Sequence, residues 1–369
     1  MSDAATVLER CALLGEVSEE RGLLVRRYGT DAMRRANALV AGWMEEASLT
    51  PHEDAVGNLI GRRGDGPALM LGSHLDTVRD AGRYDGPLGV MVALAAVERV
   101  PGATIEVAGF ADEEGLRFGT AYLGSAAVAG RFDPGWRELR DADGVALGDL
   151  LRGDPASAAR AVRGYAEVHI EQGPVLERLG EPVGVVTAIT GQSHADVVFT
   201  GEAGHAGTVP HDARHDALVA AAEWVLAVEG VGTVGRLSVE PGGRNVIPGR
   251  AALTLDVRDS DDAVRRAAVA ALRERAGEIA ARRGIELGWT DVGDLPAVAL
   301  DERLGAAWGV GVRLPSGAGH DAAMMASVCP ATMLFVRCRG GVSHNPAESV
   351  EEADVAAAID ALERLLHAA

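Results

Sequence analysis

No uninterrupted apolar run in this chain approaches the roughly 20 residues that a membrane-crossing helix needs, and the N-terminal MSDAATVLER carries no apolar signal core. A membrane span and a secretory leader are therefore not expected. Cysteine is scarce: Cys11, Cys329 and Cys338 show no CxxC spacing and leave an odd count, which suits reduced thiols in a cytoplasm and not a disulfide framework. Positive charge is in deficit, and a formal net charge of -19 would repel phosphate backbones and anionic lipid, so nucleic-acid and membrane-surface partners are not expected. Internal repeats and low-complexity linkers are also lacking. What is present is a hydrophobic fraction of 47%, ample for packed interiors, in 369 residues, a length that fits two domains better than one. The expectation is a soluble cytoplasmic protein.

The texture of the chain changes along its length. Thr6 to Ser48 is rich in Ala, Leu, Arg and Glu at helical spacing and predicts two helices. Val56–Ile60 and Ala68–Leu71 predict short strands, Leu88 to Val100 an apolar helix, and Thr104 to Ala108 another strand. This alternation predicts an α/β domain with a mostly parallel, helix-covered sheet whose ligands gather at the carboxyl ends of its strands. Beyond Ile189 the order becomes strand (Ala195–Thr200), helix (Asp212–Val228), two strands (Gly235–Glu240 and Ala251–Arg258), helix (Asp261–Arg283) and a strand near Ile285–Trp289. That is a split βαβ, ferredoxin-like α+β sandwich. Leu304 to Ala369 returns to the first texture, so the small domain is read as inserted: residues 1–189 and 297–369 form the catalytic domain around an insert at 190–296.

Residues able to carry chemistry fall where such a scaffold aims side chains. GSHLDTV (Gly72–Val78) puts His74 and Asp76 two apart after a strand, so that in an extended segment both point the same way and Asp76 can orient the ring. YDGPLGV (Tyr84–Val90) holds Asp85 in a tight turn opening a helix, and ADEEG places Asp112, Glu113 and Glu114 side by side after a strand. HIEQGP offers His169 and Gln172 before a Gly-Pro turn, and GVSHNPAES offers His344. Each alone has an ordinary structural explanation as a solvated loop or a capping residue. Together they supply three histidines and several carboxylates without a thiolate, a set that suits Zn²⁺ or Mn²⁺ and is rich enough for two ions sharing a carboxylate.

The ordered series GSHLDTV, YDGPLGV, ADEEGLRFGT, HIEQGP, GHAGTVP, GRNVIPGRAALTLDVR, SGAGHDA and SHNPAE, spanning about Asn58 to Val350, resembles the amidase, hydantoinase and carbamoylase branch of the dinuclear M20 metallopeptidase family. The resemblance implies a zinc-peptidase-like catalytic domain with an inserted lid and dimerisation domain, and hence a homodimer. It implies that His74 and His169 hold one ion, Glu114 and His344 the other, with Asp85 between them, while Glu113 is the general base and Asp76 orients the centre. It further implies that His205 of GHAGTVP stabilises the oxyanion, and that Gln172, His194, Asn245, Arg258 and the backbone at Gly319 line the substrate cleft. His194 and His211 depart from the branch's usual residues, which bears on the substrate edge of the pocket.

The activity so implied is hydrolysis of the ureido C–N bond of a small anionic acid, with allantoate yielding ureidoglycine, ammonia and carbon dioxide. The alternatives are an N-carbamoyl-L-amino acid or a β-ureido acid as substrate. A metal-free binding or scaffold protein on the same fold would be expected to lack ligands, and none is missing.

Overall fold

A computed structural model describes residues 2–368. By its internal contacts the chain divides into two compact units, one formed by the residues up to Ile189 with those from Ala299 onward, the other by Thr190–Val298.

The first unit opens with α1 (Asp3–Gly15) and α2 (Asp31–Glu46), whose first turns are capped by Ser2 and Thr30 through hydrogen bonds from Ala5 and Met33. Then follow β1 (Thr50–Glu53), β2 (Leu59–Arg63), β3 (Leu69–His74), α3 (Pro87–Arg99), β4 (Ile105–Phe110), α4 (Leu123–Val128), β5 (Gly164–Ile170), α5 (Val175–Leu179) and β6 (Val183–Ile189). Val56 to Asn58, expected as strand, form a turn. Asp54 Oδ1 accepts the N–H groups of both Val56 and Asn58 at 3.0 Å, and Gly57 supplies the positive φ that the turn needs.

The second unit contains β7 (Gly191–Thr200), β8 (Gly204–His205), α6 (Ala217–Val228), β9 (Thr233–Glu240), β10 (Val246–Ile247), β11 (Arg250–Asp259), α7 (Asp262–Arg283) and β12 (Glu286–Leu295). Its main sheet runs β12-β7-β11-β9, antiparallel throughout. Ala195, Val197 and Phe199 of β7 and Ala251, Leu253, Leu255 and Val257 of β11 bury one face against α6 and α7, in a core centred on Trp224. The first of these helices starts five residues later than the sequence suggests. Arg214 donates to the carbonyls of Val209 and Ala206 and keeps this segment a loop, and Asp216 then caps the helix by accepting from Leu218 and Val219.

The chain returns through β13 (Val298–Ala299), α8 (Glu302–Ala307), β14 (Arg313–Ser316), α9 (Asp321–Met325), β15 (Ala331–Val336) and α10 (Glu352–Ala368). The large sheet has the order β1-β2-β4-β3-β5-β15-β6-β13, with β14 on β6. Its central strands β4, β3, β5 and β15 are parallel to one another and buried along their whole lengths. Strands covered on both faces require nearly continuous apolar sequence, which these have. Helix α3 is buried from Pro87 to Val97 and shares one continuous core with α1, α10 and the central strands. Each Leu or Val so enclosed contributes roughly 1.5–3 kcal/mol. Because the four central strands point the same way, the segments that follow β3, β4, β5 and β15 emerge at one edge of the sheet, where α/β proteins build their sites.

Candidate metal centre and active site

His74 ends β3 and His169 is the next-to-last residue of β5, and both are buried. Each ring is locked by a carbonyl: Nδ1 of His74 lies 3.0 Å from the oxygen of Asp76, and Nδ1 of His169 lies 2.9 Å from that of Ile170. A proton on Nδ1 donated to a carbonyl leaves the Nε2 lone pair of each ring for a ligand. Both Nε2 atoms face Asp85 Oδ1, at 3.6 Å from His74 and 3.1 Å from His169. Asp85 stands in the turn before α3, and that turn requires glycine next to it. Gly86 has φ +83, and a Cβ there would lie 2.5 Å from the His74 ring.

The other carboxylate oxygen of Asp85 faces a second set of donors. Oδ2 is 3.2 Å from Nε2 of His344, which is in turn 3.3 Å from Glu114 Oε1. Ligand atoms of His74, Asp85 and His169, of Asp85, Glu114 and His344, and of His74, Glu113 and Glu114 each fall within 4.8 Å of one another. One carboxylate thus presents an oxygen to each of two nitrogen and oxygen clusters, the donor set and spacing that divalent ions of the Zn²⁺ or Mn²⁺ type accept.

The electrostatics fit the same occupant. Burial works against protonation of His74 and His169, yet hydrogen bonding to Asp85 and the surrounding carboxylates raise both above the ordinary imidazole value. Asp85 and Glu114 push His344 up to about 10. Burial would raise Asp85, but hydrogen bonds from His169, His344 and His74 hold its carboxyl well below the usual range. Burial pushes Glu113 well above its ordinary value. Without an ion, protons supply the positive charge this centre requires, and a metal ion would displace them.

Asp76 reaches both the ring and the acidic turn. Its carboxylate is 3.7 Å from the His74 ring, and the ring's hydrogen bond goes to the Asp76 backbone carbonyl. The carboxylate also accepts the N–H groups of Glu113 at 3.1 Å and Glu114 at 3.2 Å, so Asp76 shapes the acidic turn after β4. Among the described residues the side chain of Glu113 accepts no hydrogen bond, although one of its oxygens lies within 4.8 Å of ligand atoms of His74 and Glu114.

Gln172, expected at the substrate, adopts a left-handed backbone (φ 59) and donates its amide to Asp85 Oδ2 at 2.9 Å. Its Oε1 is buried without a hydrogen-bond partner. Gly319 lies against the Tyr122 side chain, since a Cβ there would stand 1.7 Å from the Tyr122 hydroxyl oxygen and would require that side chain to move.

Within the second unit, His205 and Asn245 are exposed neighbours in the β8 and β10 ribbon: His205 pairs with Val246, and the carbonyl of Asn245 accepts from Ala206. Elsewhere in that unit the guanidinium of Arg258 donates to Asp256, from Nε to both carboxylate oxygens at 3.1 Å and from Nη2 to Oδ2 at 2.8 Å. Asp256 also lies 3.7 Å from His194, its cross-strand partner. His211 is exposed in a short 3₁₀ turn.

Three residues that the sequence did not single out border the centre. Ser343 donates to Asp85 Oδ2 at 2.6 Å, and Glu348 accepts the N–H groups of Tyr84 and Asp85. His320, of the SGAGHDA motif, is buried with its ring centroid 4.5 Å from that of His169 and its Nε2 2.9 Å from Ser316 Oγ. Their sequence signals were proximity to His344 and a histidine in a Gly-rich turn.

Comparison with known proteins agrees with this geometry. Residues 70–368 match the model of peptidase family M20/M25/M40. The chain is 40% identical to an N-carbamoyl-L-amino acid amidohydrolase of Geobacillus stearothermophilus over 96% of its own length and 95% of the relative's. It is 38% identical to an allantoate deiminase of Arabidopsis thaliana, over 94% of this chain and 78% of the other. A hydantoinase/carbamoylase family amidase of Burkholderia multivorans superposes with a TM-score of 0.93 at 33% identity, covering 98% of this chain and 97% of that one. A parallel sheet with a shared-carboxylate cluster at its carboxyl edge, and relatives that match along nearly its whole length, make this chain a metal-dependent hydrolase of peptidase family M20/M25/M40, among the hydantoinase/carbamoylase amidases.

Proposed function

We propose that the chain hydrolyses the ureido C–N bond of a small anionic acid, with allantoate as substrate and ureidoglycine, ammonia and carbon dioxide as products. The observation that carries the chemistry is the divided Asp85 carboxylate beside Glu113, a buried carboxylate whose side chain has no hydrogen-bond partner among the described residues. His74, His169 and Asp85 Oδ1 would hold one ion, and Glu114, His344 and Asp85 Oδ2 a second, Zn²⁺ or Mn²⁺. Bound there, such ions supply Lewis acidity that makes water a better nucleophile and polarises the ureido carbonyl.

The protein's own share is proton handling and orientation. Glu113 takes the proton of the attacking water and returns it to the leaving nitrogen, a role that its raised proton affinity suits. Asp76 keeps Glu113 and Glu114 apart in their tasks by fixing both backbone amides. Gln172 has a buried acceptor that matches a ureido N–H. By the resemblance, His205 serves the oxyanion, while Arg258, Asn245, His194 and the Gly319 backbone serve the substrate. The guanidinium fork of Arg258 suits a carboxylate.

In the same reading the chain is a cytoplasmic homodimer joined through the second unit. Val219 and Leu226 of α6 and Leu237 of β9 leave apolar surface exposed there, 72% of Leu226 among it.

A second reading, cleavage of N-carbamoyl-L-amino acids, is favoured by the Geobacillus relative, which matches this chain nearly end to end. Ammonia release from allantoate and from N-carbamoyl-L-methionine at equal concentration, after reconstitution with Mn²⁺ or Zn²⁺, separates the two. Faster turnover of the methionine derivative assigns the chain to the second.

A further inference from the structure

The three imidazoles of the cluster are not held alike. His74 and His169 lie on strands, are 2% and 1% exposed, and each has its far ring nitrogen on a backbone carbonyl. His344 is on a loop, in a left-handed conformation (φ 54), with its side chain 48% exposed, and among the described residues its ring makes no hydrogen bond to a backbone carbonyl. Its ring contacts are the ligand carboxylates themselves, Asp85 Oδ2 at 3.2 Å and Glu114 Oε1 at 3.3 Å, so the loop that carries it needs a separate anchor.

Glu348 occupies that place. It is buried, four residues after His344, and belongs to neither cluster of ligand atoms. Its Oε1 accepts the N–H of Tyr84 at 2.7 Å and of Asp85 at 3.0 Å, which fixes the turn presenting Asp85. Its Oε2 lies 3.3 Å from the Ser343 hydroxyl, which also reaches Asp85 Oδ2 at 2.6 Å. The turn is seated closely on this carboxylate, since a Cβ on Gly82 would come within 2.4 Å of Glu348 side-chain atoms. Its own loop is closed by two hydrogen bonds, from Glu348 N to the Asn345 carbonyl at 3.0 Å and from Ala347 N to Asn345 Oδ1 at 2.9 Å.

We infer that Glu348 is a positioning residue that clamps the loop of His344 to the turn of Asp85, and that it sets the affinity of one metal site, the one formed by Asp85 Oδ2, Glu114 and His344. The other site depends on it less, because its two histidines are oriented by strand and carbonyl contacts that Glu348 does not touch. Hydrogen-bonding partners behind metal ligands typically govern affinity by about 10- to 100-fold. Here that influence falls mainly on one ion of two, since only Asp85 is shared with the other site, which makes the site at His344 the exchangeable one. The inference rests on the two-ion reading above but not on any substrate.

The test is metal binding by the full-length chain, stripped by chelation and titrated calorimetrically with Mn²⁺ and with Zn²⁺, with bound metal counted after desalting. The wild type should take up two ions. Glu348→Ala should keep one at near wild-type affinity and bind the second at least tenfold more weakly. Glu348→Gln should restore the second site, because its amide oxygen still accepts both N–H groups and its amide nitrogen can donate to Ser343. Ser343→Ala, which leaves the buried carboxylate in place, should weaken the same site in the same direction and covers the case in which Glu348→Ala fails to fold. Equal weakening of both ions, two unchanged ions in Glu348→Ala, or no rescue by Glu348→Gln would each overturn the inference. The titration contains no substrate, so a chain that binds its ions as described but leaves allantoate intact refutes only the proposed function.

Discussion

Asp76 Oδ1 accepts the backbone N–H of Glu113 at 3.1 Å, so an aspartate following β3 fixes the conformation of an acidic turn 37 residues later. Its second oxygen does the same for Glu114. In Asp76→Asn one acceptor becomes a donor facing an N–H, and a turn held by two bonds loses at least one. Turnover should fall by about 10- to 100-fold, the usual scale for residues behind a metal site. Wild-type rates in Asp76→Asn would show that the turn does not need this carboxylate.

Glu113 lies beside the proposed ligands without being needed by either set. Glu113→Gln preserves size but cannot accept a proton, and turnover should drop at least about a hundredfold while bound metal stays at the wild-type level. A parallel loss of metal and activity would assign Glu113 as a ligand.

The metal-free protein should lose stability as pH rises from about 5 toward 9. His344, His74 and His169 have raised folded-state values, so their stabilisation is complete below the unfolded imidazole value near 6.5 and is lost as pH climbs through the folded values, about 10 for His344. Glu113, raised by burial, adds a loss of the same sign beginning near its unfolded value of about 4.3. Asp85, whose value is depressed, contributes in full throughout this window. Melting temperatures of the chelated chain measured across the window should therefore decline, and Mn²⁺ or Zn²⁺ should flatten the curve, because ions replace the protons. A rise in the chelated protein's melting temperature over that range would contradict this electrostatic picture.

Arg258 meets Asp256 in a two-point ion pair, and the proposed role requires it to engage a substrate carboxylate as well. Lysine would keep the charge and lose the fork. Arg258→Lys should raise KM for allantoate and lower kcat/KM at least tenfold. Unchanged kinetics would reduce Arg258 to a surface ion pair.

Leu226, exposed on α6, is the sharpest test of the proposed dimer. Sedimentation should show a dimer for the wild type and a monomer for Leu226→Glu. A wild-type monomer with full activity removes dimerisation from the reading.

The site was legible in sequence to the extent that its chemistry sits in short linear segments. His74, Asp85, Glu114, His169 and His344 could be read because each follows an apolar strand or stands in a Gly or Pro turn, and parallel strands send all such segments to one edge. Helices were legible from apolar periodicity, and their ends less so, because a cap such as Asp216 depends on loop hydrogen bonds like those of Arg214. What the sequence by itself determined is therefore the α/β class and the inventory of candidate metal-ligating side chains, since local pattern and residue chemistry suffice for both. Only the tertiary structure decided which atoms those residues spend on one another. The Asp76 carboxylate grips a turn as well as lying beside the His74 ring, Gln172 turns its amide to Asp85, and Glu348 binds N–H groups more than 260 residues earlier in the chain. Hydrogen bonds between segments so distant in sequence have no local signature. They are selected when folding buries these polar groups together and each must find a partner or remain costly.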